Sequence, residues 1–171
     1  MRVARHSQQF TRRYLASLAV TSVSLLAVAC QGPGRASKVD AGTARLTVEV
    51  TAPRGVEVPP AALDGDRLLV ALAADSWQWP SGPFDQRVRC RFSDRSGTAI
   101  FDELPVGSYA VIAFLDLDGD GELDRGAFGV PIEPIAYGND AVPRLGPPAF
   151  KSCLVEVGPG STKTRITLRF E

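Results

Sequence analysis

The stretch from Leu104 to Asp124 constrains the fold of this chain more than any other. It opens with the turn-forming Pro105-Val106-Gly107, continues as an apolar run from Tyr109 to Leu115, and ends in a loop of aspartates and glycines. An apolar run of this length, with two β-branched and two aromatic residues between turn signals, is typical of a strand buried on both faces. We therefore predict the central strand of a β-sandwich, which delivers an acidic loop to one rim.

Strand signals recur along the rest of the chain. Apolar residues alternate with polar ones, or form short runs between turn residues, around Leu46–Val50, Arg67–Ala73, Val88–Phe92, Thr98–Phe101, Leu154–Val157 and Ile166–Phe170. Together they predict a single all-β domain over residues 45–171, an immunoglobulin-like or prealbumin-like β-sandwich of about seven strands. We predict no helix in this domain, and we expect the Gly- and Pro-rich segment from Gly126 to Phe150 to be irregular.

The amino terminus predicts export and a lipid anchor. Residues 1–29 combine a basic start with an apolar run from Leu15 to Ala29, which is the pattern of a secretory signal peptide. The sequence Leu26-Ala27-Val28-Ala29-Cys30 resembles the lipobox of bacterial lipoproteins, in which the cysteine is acylated. The alternative is ordinary cleavage after Ala29, which leaves Cys30 as a free thiol.

The residues around Cys30 and in the basic start indicate the export route of the protein and the membrane to which it is sent. Gln31 follows the cysteine, and by resemblance to the sorting habit of didermic bacteria this favours the outer membrane of the cell envelope. Thr11-Arg12-Arg13-Tyr14-Leu15 resembles a twin-arginine export motif, so general secretion and twin-arginine export both stay open. Residues 30–44 show no periodicity and are predicted to be a flexible tether.

Charge and histidine content exclude several classes of function. Residues 1–29 hold four of the 19 basic residues and no acid, so the remainder has 15 basic and 19 acidic residues and a net charge of −4. No basic patch indicates nucleic-acid binding. The one histidine, His6, lies in the predicted signal peptide, so the exported domain has no imidazole for a catalytic triad or a zinc site.

The acidic loop is the candidate metal site. Its acids are spaced as in a calcium loop, with carboxylates at positions 1, 3 and 5, glycine at 6, a carbonyl at 7 and a further acid at 9. The residues at these places are Asp116, Asp118, Asp120, Gly121, Glu122 and Asp124. Ala127 stands where a bidentate glutamate belongs, and Glu133 or Asp140 are candidates for the missing donor. The alternative is a structural hairpin loop whose aspartates cap backbone amides.

Three further groups are candidate features. Cys90 and Cys153 are the cysteines left once Cys30 is acylated, and their strand parity predicts that both face the core and form a disulfide, with two buried thiols as the alternative. Trp77, Trp79 and Tyr137 are candidates for an aromatic ligand-binding platform, although aromatics also simply cover the end of a sandwich. The arginine row at positions 87, 89 and 91 is predicted to be a solvated strand face.

Several motifs carry a resemblance to a known family. They are LPVGSYAVIAFLD, the loop ending Gly121-Glu122-Leu123-Asp124, the segment Gly129–Glu133, and Gly146-Pro147-Pro148-Ala149-Phe150. They resemble the secreted bacterial family catalogued as domain of unknown function 2141. The resemblance implies a sandwich like the transthyretin-like and carboxypeptidase-regulatory-like domains, and it implies no biochemical role.

These observations favour a non-enzymatic, lipid-anchored envelope module that binds a peptide, a glycan or a neighbouring envelope protein through its loops. One alternative is an enzyme that acts on glycans with paired carboxylates. Another is a purely structural envelope domain stiffened by calcium.

The anchor has a direct test. Cells expressing the protein should incorporate labelled palmitate into it, and Cys30→Ser should abolish the labelling because the acylated sulfur is lost. A wild-type protein that stays unlabelled would refute the anchor.

Overall fold

The computed structural model describes residues Gly42 to Phe170, so the predicted signal peptide, Cys30 and most of the predicted tether lie outside the described residues. The fold is all-β, with eight strands in two sheets, and the helical elements of the described residues are 3-10 turns of three or four residues. The strands are β1 Thr43–Thr51, β2 Leu68–Ala73, β3 Gln86–Cys90, β4 Ser96–Pro105, β5 Gly107–Leu115, β6 Ile135–Tyr137, β7 Leu154–Val157 and β8 Gly160–Thr167. The 3-10 turns are Pro60–Leu63, Ser76–Gln78, Ala127–Gly129, Gly138–Asp140 and Phe150–Cys153. Within Gly42–Phe170, no helix has the length and apolar character needed to cross a membrane.

The two sheets differ in size and in pairing. The smaller sheet has the order β4–β1–β8, in which β1 pairs antiparallel with β4 and parallel with β8. In the larger sheet β3, β2 and β5 are successive neighbours, and the other edge of β5 is shared by β6 and β7. The prediction that the apolar run forms a central strand is therefore confirmed.

A hydrophobic core lies between the inner faces of the two sheets. The alternation of apolar and polar residues along the strands explains this core, because every second residue of a strand points to the same face. Leu46, Val48 and Val50 of β1 are completely buried, as the alternation predicts. They pack in the same cluster as Val70 of β2 and Val111 of β5.

A second hydrophobic cluster covers the outer face of the larger sheet. It contains Ala71 of β2 with Ile112 and Phe114 of β5, and residues from the connections, including Trp79 and Phe150, pack on it. This second layer explains why β2 and β5 are apolar on both faces. The segment predicted to be irregular supplies part of it through β6, a three-residue strand that was too short for a periodicity signal.

The predicted disulfide is not formed, and this prediction was wrong. Cys90 and Cys153 are free. Cys90 packs against the core between the sheets, whereas Cys153 belongs to the cluster on the opposite face of the larger sheet. Cys153 lies in the 3-10 turn before β7, so the alternation that places Val155 in the core does not extend to it.

Both thiols stay protonated at neutral pH. Burial raises the pKa of Cys153 to about 11, and burial together with the nearby Asp66 carboxylate raises the pKa of Cys90 to about 11. A thiol, unlike a thiolate, is neither a good nucleophile nor a metal ligand.

The strand directions place the acidic loop at a defined end of the sandwich. Thr43, the first residue of β1, pairs with Pro105 at the end of β4, and only Val106 separates Pro105 from the start of β5. The strands β1 and β5 therefore start at the same end and finish at the opposite end. The loop after Leu115 lies at the end of the domain remote from Gly42, and we call it the distal end.

Candidate functional site

Asp116 fixes the start of the acidic loop. It follows Leu115, the last residue of β5, and its N–H donates to the carbonyl of Arg67 at 2.8 Å, which extends the sheet by one residue. Leu115 belongs to the inner core, so alternation turns Asp116 to the outer face of the larger sheet, which Arg89 of β3 shares. Arg89 Nη1 lies 2.9 Å from Asp116 Oδ2, and the Asp116 side chain is 0% exposed.

Two glycine amides complete the environment of the Asp116 carboxylate. Its Oδ1 accepts from the N–H of Gly119 at 2.7 Å, and its Oδ2 accepts from the N–H of Gly121 at 3.0 Å. Both glycines have left-handed φ values, of 92° and 88°, which other residues rarely adopt. A Cβ at Gly119 would collide with the guanidinium of Arg67, and one at Gly121 with that of Arg89. The loop therefore closes around one carboxylate and packs on two arginines.

The next acids of the loop cap backbone amides. Asp118 Oδ1 accepts from the N–H of Asp120 at 3.1 Å, and Asp120 Oδ1 accepts from the N–H of Glu122 at 2.7 Å. Arg87 Nη2 donates to the carbonyl of Gly121 at 2.6 Å. The predicted arginine row is exposed, but two of its members bind the acidic loop, which the sequence did not reveal.

Glu133 joins the two ends of the acidic loop. It is 4% exposed, its Oε1 accepts from the N–H of Leu117 at 2.6 Å, and its Oε2 accepts from the N–H of Asp124 at 3.1 Å. Burial raises the pKa of Glu133, and the charges of Asp116 and Asp124 raise it further against the opposing effect of the two N–H donors. A raised native pKa means that ionising this carboxyl costs stability as the pH rises from the unfolded value towards the native one.

The carboxylates of the loop form two groups of three. In each group one oxygen from each residue lies within 4.8 Å of the others. Asp116, Asp118 and Asp120 form one group, and Asp118, Asp124 and Glu133 form the other. Oxygens that share one calcium ion at roughly 2.3–2.6 Å are separated by at most about 5 Å, so both groups match the span of a cation site.

The second group fits a cation better than the first. Asp116 already pairs with Arg89, whereas no ion pair of the described chain involves Asp118, Asp124 or Glu133. Of the two candidates for the missing donor, Glu133 lies in the group, while Asp140 Oδ1 accepts from the N–H of Thr167 of β8. The Glu122 carboxylate, a predicted ligand, belongs to neither group found among the described residues.

The three candidate platform aromatics do not share an exposed surface. Tyr137 is 2% exposed, and its ring packs edge-on against Trp79 with the centroids 5.9 Å apart. Trp79 also packs against Phe150, and its Nε1 donates to the carbonyl of Pro148 at 2.8 Å. Trp77 is 69% exposed. Tyr137 therefore belongs to the second cluster, and the half-buried Trp79 packs on it, so the platform prediction was wrong for Tyr137.

A hairpin that the sequence analysis did not identify projects from the distal end. We call residues 124–132 the distal hairpin. Its strands are joined by Gly126 N–H to Val130 O at 2.8 Å and by Ile132 N–H to Asp124 O at 3.0 Å. At its tip Phe128 is fully exposed with a left-handed φ of 61°, which is unusual for an aromatic residue.

The fold and this site define a class: an all-β, two-sheet domain whose central strand delivers an acidic loop and a hairpin to one end. The sequence profile of a family described as "Uncharacterized protein conserved in bacteria (DUF2141)" matches residues 61–165, and the chain belongs to that family. No curated protein and no solved structure matches the chain. The likeness to transthyretin-like sandwiches stays a prediction.

The central role of Asp116 leads to a stability prediction. We expect Asp116→Asn to lower the free energy of unfolding by about 2–4 kcal/mol, because an amide nitrogen replaces one acceptor and Arg89 loses its counter-charge. Asp120→Asn is the matched control, since Asp120 is exposed and the amide oxygen can still cap Glu122; its change should stay within about 0.5 kcal/mol. Urea denaturation without added calcium measures both, and equal changes would contradict the assigned role.

Proposed function

We propose that the protein is an exported, lipid-anchored, non-enzymatic module of the cell envelope that binds a peptide, a glycan or a neighbouring envelope protein through its distal end. The single observation that carries the proposal is the placement of the acidic loop and the distal hairpin at the end remote from Gly42. We further propose that Cys30 carries the lipid, that the membrane is the outer membrane, and that calcium stabilises the loop.

The strand directions support binding at a distance from the membrane. From an acylated Cys30 to Thr43 there are 13 residues, which span at most about 43–47 Å when fully extended. The tether joins the domain at Gly42, so the acidic loop and the distal hairpin lie at the end of the domain opposite the attachment point. A surface at that end is not occupied by the attachment of the tether.

The distal hairpin supports contact with a partner. Phe128, Val130 and Ile132 are exposed on one short segment, whereas scattered single apolar residues are the usual condition of a surface. The base of the hairpin is fixed, because Glu133 holds the N–H of Asp124 and Arg125 Nη1 donates to the carbonyl of Gly129 at 3.1 Å. Because the base is fixed, binding has to order less of the backbone around Phe128, and an aromatic residue that becomes buried on binding is typical of interface hot spots.

The bonding of the acids favours binding over hydrolysis. A carboxylate-based glycosidase needs two opposed carboxyl groups about 5–9.5 Å apart across the scissile bond. Here Asp116, Asp118, Asp120 and Glu133 each accept from backbone N–H groups of their own loop. Groups that hold a loop together in this way suit a structural or ligand-holding role.

The second carboxylate group supports a calcium site. Asp118, Asp124 and Glu133 would hold the ion. Burial, and less strongly the charges of the neighbouring carboxylates, raises the pKa of Glu133, so a nearby cation would favour its ionised form. With a few carboxylates and no bidentate glutamate at position 12, we expect weak affinity, with a Kd of about 10⁻⁴–10⁻³ M.

Partner binding is tested by affinity capture with the anchored protein solubilised from membranes. A specific envelope partner should be captured by the wild type and lost at least about tenfold on Phe128→Ser, because a hot-spot aromatic is removed. Leu145→Ser is the matched control, since Leu145 is also fully exposed but lies outside the distal hairpin.

Each result of the capture experiment decides between the hypotheses. Equal loss in both variants would contradict a role for the hairpin. Turnover on a glycan panel would support the enzyme hypothesis instead. If the protein neither captures a partner nor turns over a glycan, the purely structural domain is the remaining hypothesis.

Calcium binding is tested by denaturation with and without the ion. At about 10 mM calcium the free energy of unfolding should rise by about 1.4–2.7 kcal/mol for the affinity above. The gain should fall as the pH is lowered through the raised pKa of Glu133, because protons compete with the ion.

Two variants with the same change of charge make this test specific. Asp118→Asn should remove most of the gain, since Asp118 belongs to both carboxylate groups and its amide oxygen can still cap Asp120. Glu122→Gln should retain the gain, since the Glu122 carboxylate lies in neither group. A wild type that calcium does not stabilise would end the calcium proposal.

A further inference from the structure

A cavity of about 290 Å³ opens on the outer face of the larger sheet. It lies between residues 80–84 of the connection from β2 to β3 and residues 122–125 of the acidic loop. Its apolar lining includes Ile112 and Phe114 of β5, which are almost fully buried, and the half-buried Phe84 and Leu123. The floor of the cavity is thus part of the rigid central strand.

Two arginines at this cavity have donors to spare. Arg87 uses Nη2 to bind the carbonyl of Gly121, and Arg125 uses Nη1 to bind the carbonyl of Gly129. A guanidinium has five N–H donors, and within Gly42–Phe170 these are the only hydrogen bonds found for either side chain. Each arginine is therefore held in position and can still bind an anionic group bidentately.

A carboxylate lines the same cavity without neutralising the arginines. Glu122 forms no ion pair with Arg87 or Arg125 among the described residues, which means that each charge stands more than 4.0 Å from the opposite one. The cavity thus presents separated positive and negative groups above an apolar floor. A ligand that matches this pattern carries an anion, a cation and an apolar group close together.

The volume of the cavity restricts the size of the ligand. A cavity of about 150 Å³ can hold benzene, and sites for drug-sized ligands occupy about 300–1,000 Å³. A volume of about 290 Å³ therefore accommodates one large apolar side chain with its α-carbon substituents, and little more.

We infer that this cavity binds a free α-amino acid with a large apolar side chain. Its carboxylate would be held by Arg87 and Arg125, its ammonium by Glu122, and its side chain by Phe84, Phe114 and Leu123. The inference rests on the proposed function as a binding module and adds to it a small-molecule ligand, in a cavity that shares Arg125 with the base of the distal hairpin but does not include Phe128.

Isothermal titration of the full-length protein with L-phenylalanine and L-leucine tests the site. Three analogues of phenylalanine report on the three groups of the ligand: 3-phenylpropionate lacks the ammonium, phenethylamine lacks the carboxylate, and glycine lacks the side chain. At least one of the two amino acids should bind, and each analogue should bind at least about tenfold more weakly than phenylalanine. No heat with either amino acid up to about 10 mM, or equal binding of 3-phenylpropionate, would overturn the inference.

Variants locate the binding. Arg125→Gln and Glu122→Gln should each weaken it at least about tenfold, while Arg91→Gln, on an exposed arginine outside the cavity, should leave it unchanged. Unchanged affinity in both cavity variants would overturn the site. Capture of an envelope partner is expected to depend on Phe128, which does not line the cavity. Amino-acid binding without partner capture would therefore contradict the proposed function alone. Partner capture without amino-acid binding would contradict this inference alone.

Discussion

The ion pair and hydrogen bonds of the Asp116 carboxylate are the interaction on which the distal end of the sandwich depends. A fully buried carboxylate is costly unless it is paired and hydrogen-bonded, and here one guanidinium and two glycine amides satisfy it. Because Asp116 directly follows β5, a register shift of one residue would turn this charge into the core between the sheets. The central strand and the acidic loop therefore specify each other.

A central strand that is apolar on both faces needs a second covering layer, and the long connections provide it. They are fixed to the sheets by specific bonds: Asn139 Nδ2 donates to the carbonyl of Leu154 at 2.7 Å, and Asp140 accepts from Thr167. Gly138 approaches the backbone of Cys153 so closely that a Cβ would collide with its carbonyl. Connections held in this way can present side chains at fixed positions, which makes a binding surface possible on a fold without long helices.

The sequence predicted the fold where strand alternation or a long apolar run continued to the residue in question. It predicted β1 and β5 for that reason, and it failed at Cys153, where a 3-10 turn interrupts the alternation before β7. Within the site, the alternating aspartates identified the loop. The pairing of Arg89 with Asp116 depends on which strand neighbours β5, and the spacing of residues along the chain does not contain that information. The burial of Tyr137 likewise follows from β6, whose three residues are too few to show a period.

The negative charges of the acidic loop are paired with arginines on one side only, and the unpaired side is where the calcium proposal places the ion. On the side of β2 and β3, Arg89 neutralises Asp116, while Arg67 and Arg87 line the backbone of the loop. On the side of Glu133 no described arginine or lysine pairs with the carboxylates, and backbone amides alone oppose their repulsion. The fold can thus form the loop by itself, because its most buried charge is paired internally. Under the calcium proposal a cation is bound only by the second group, and its loss at low calcium concentration would leave the paired Asp116 and the loop around it in place.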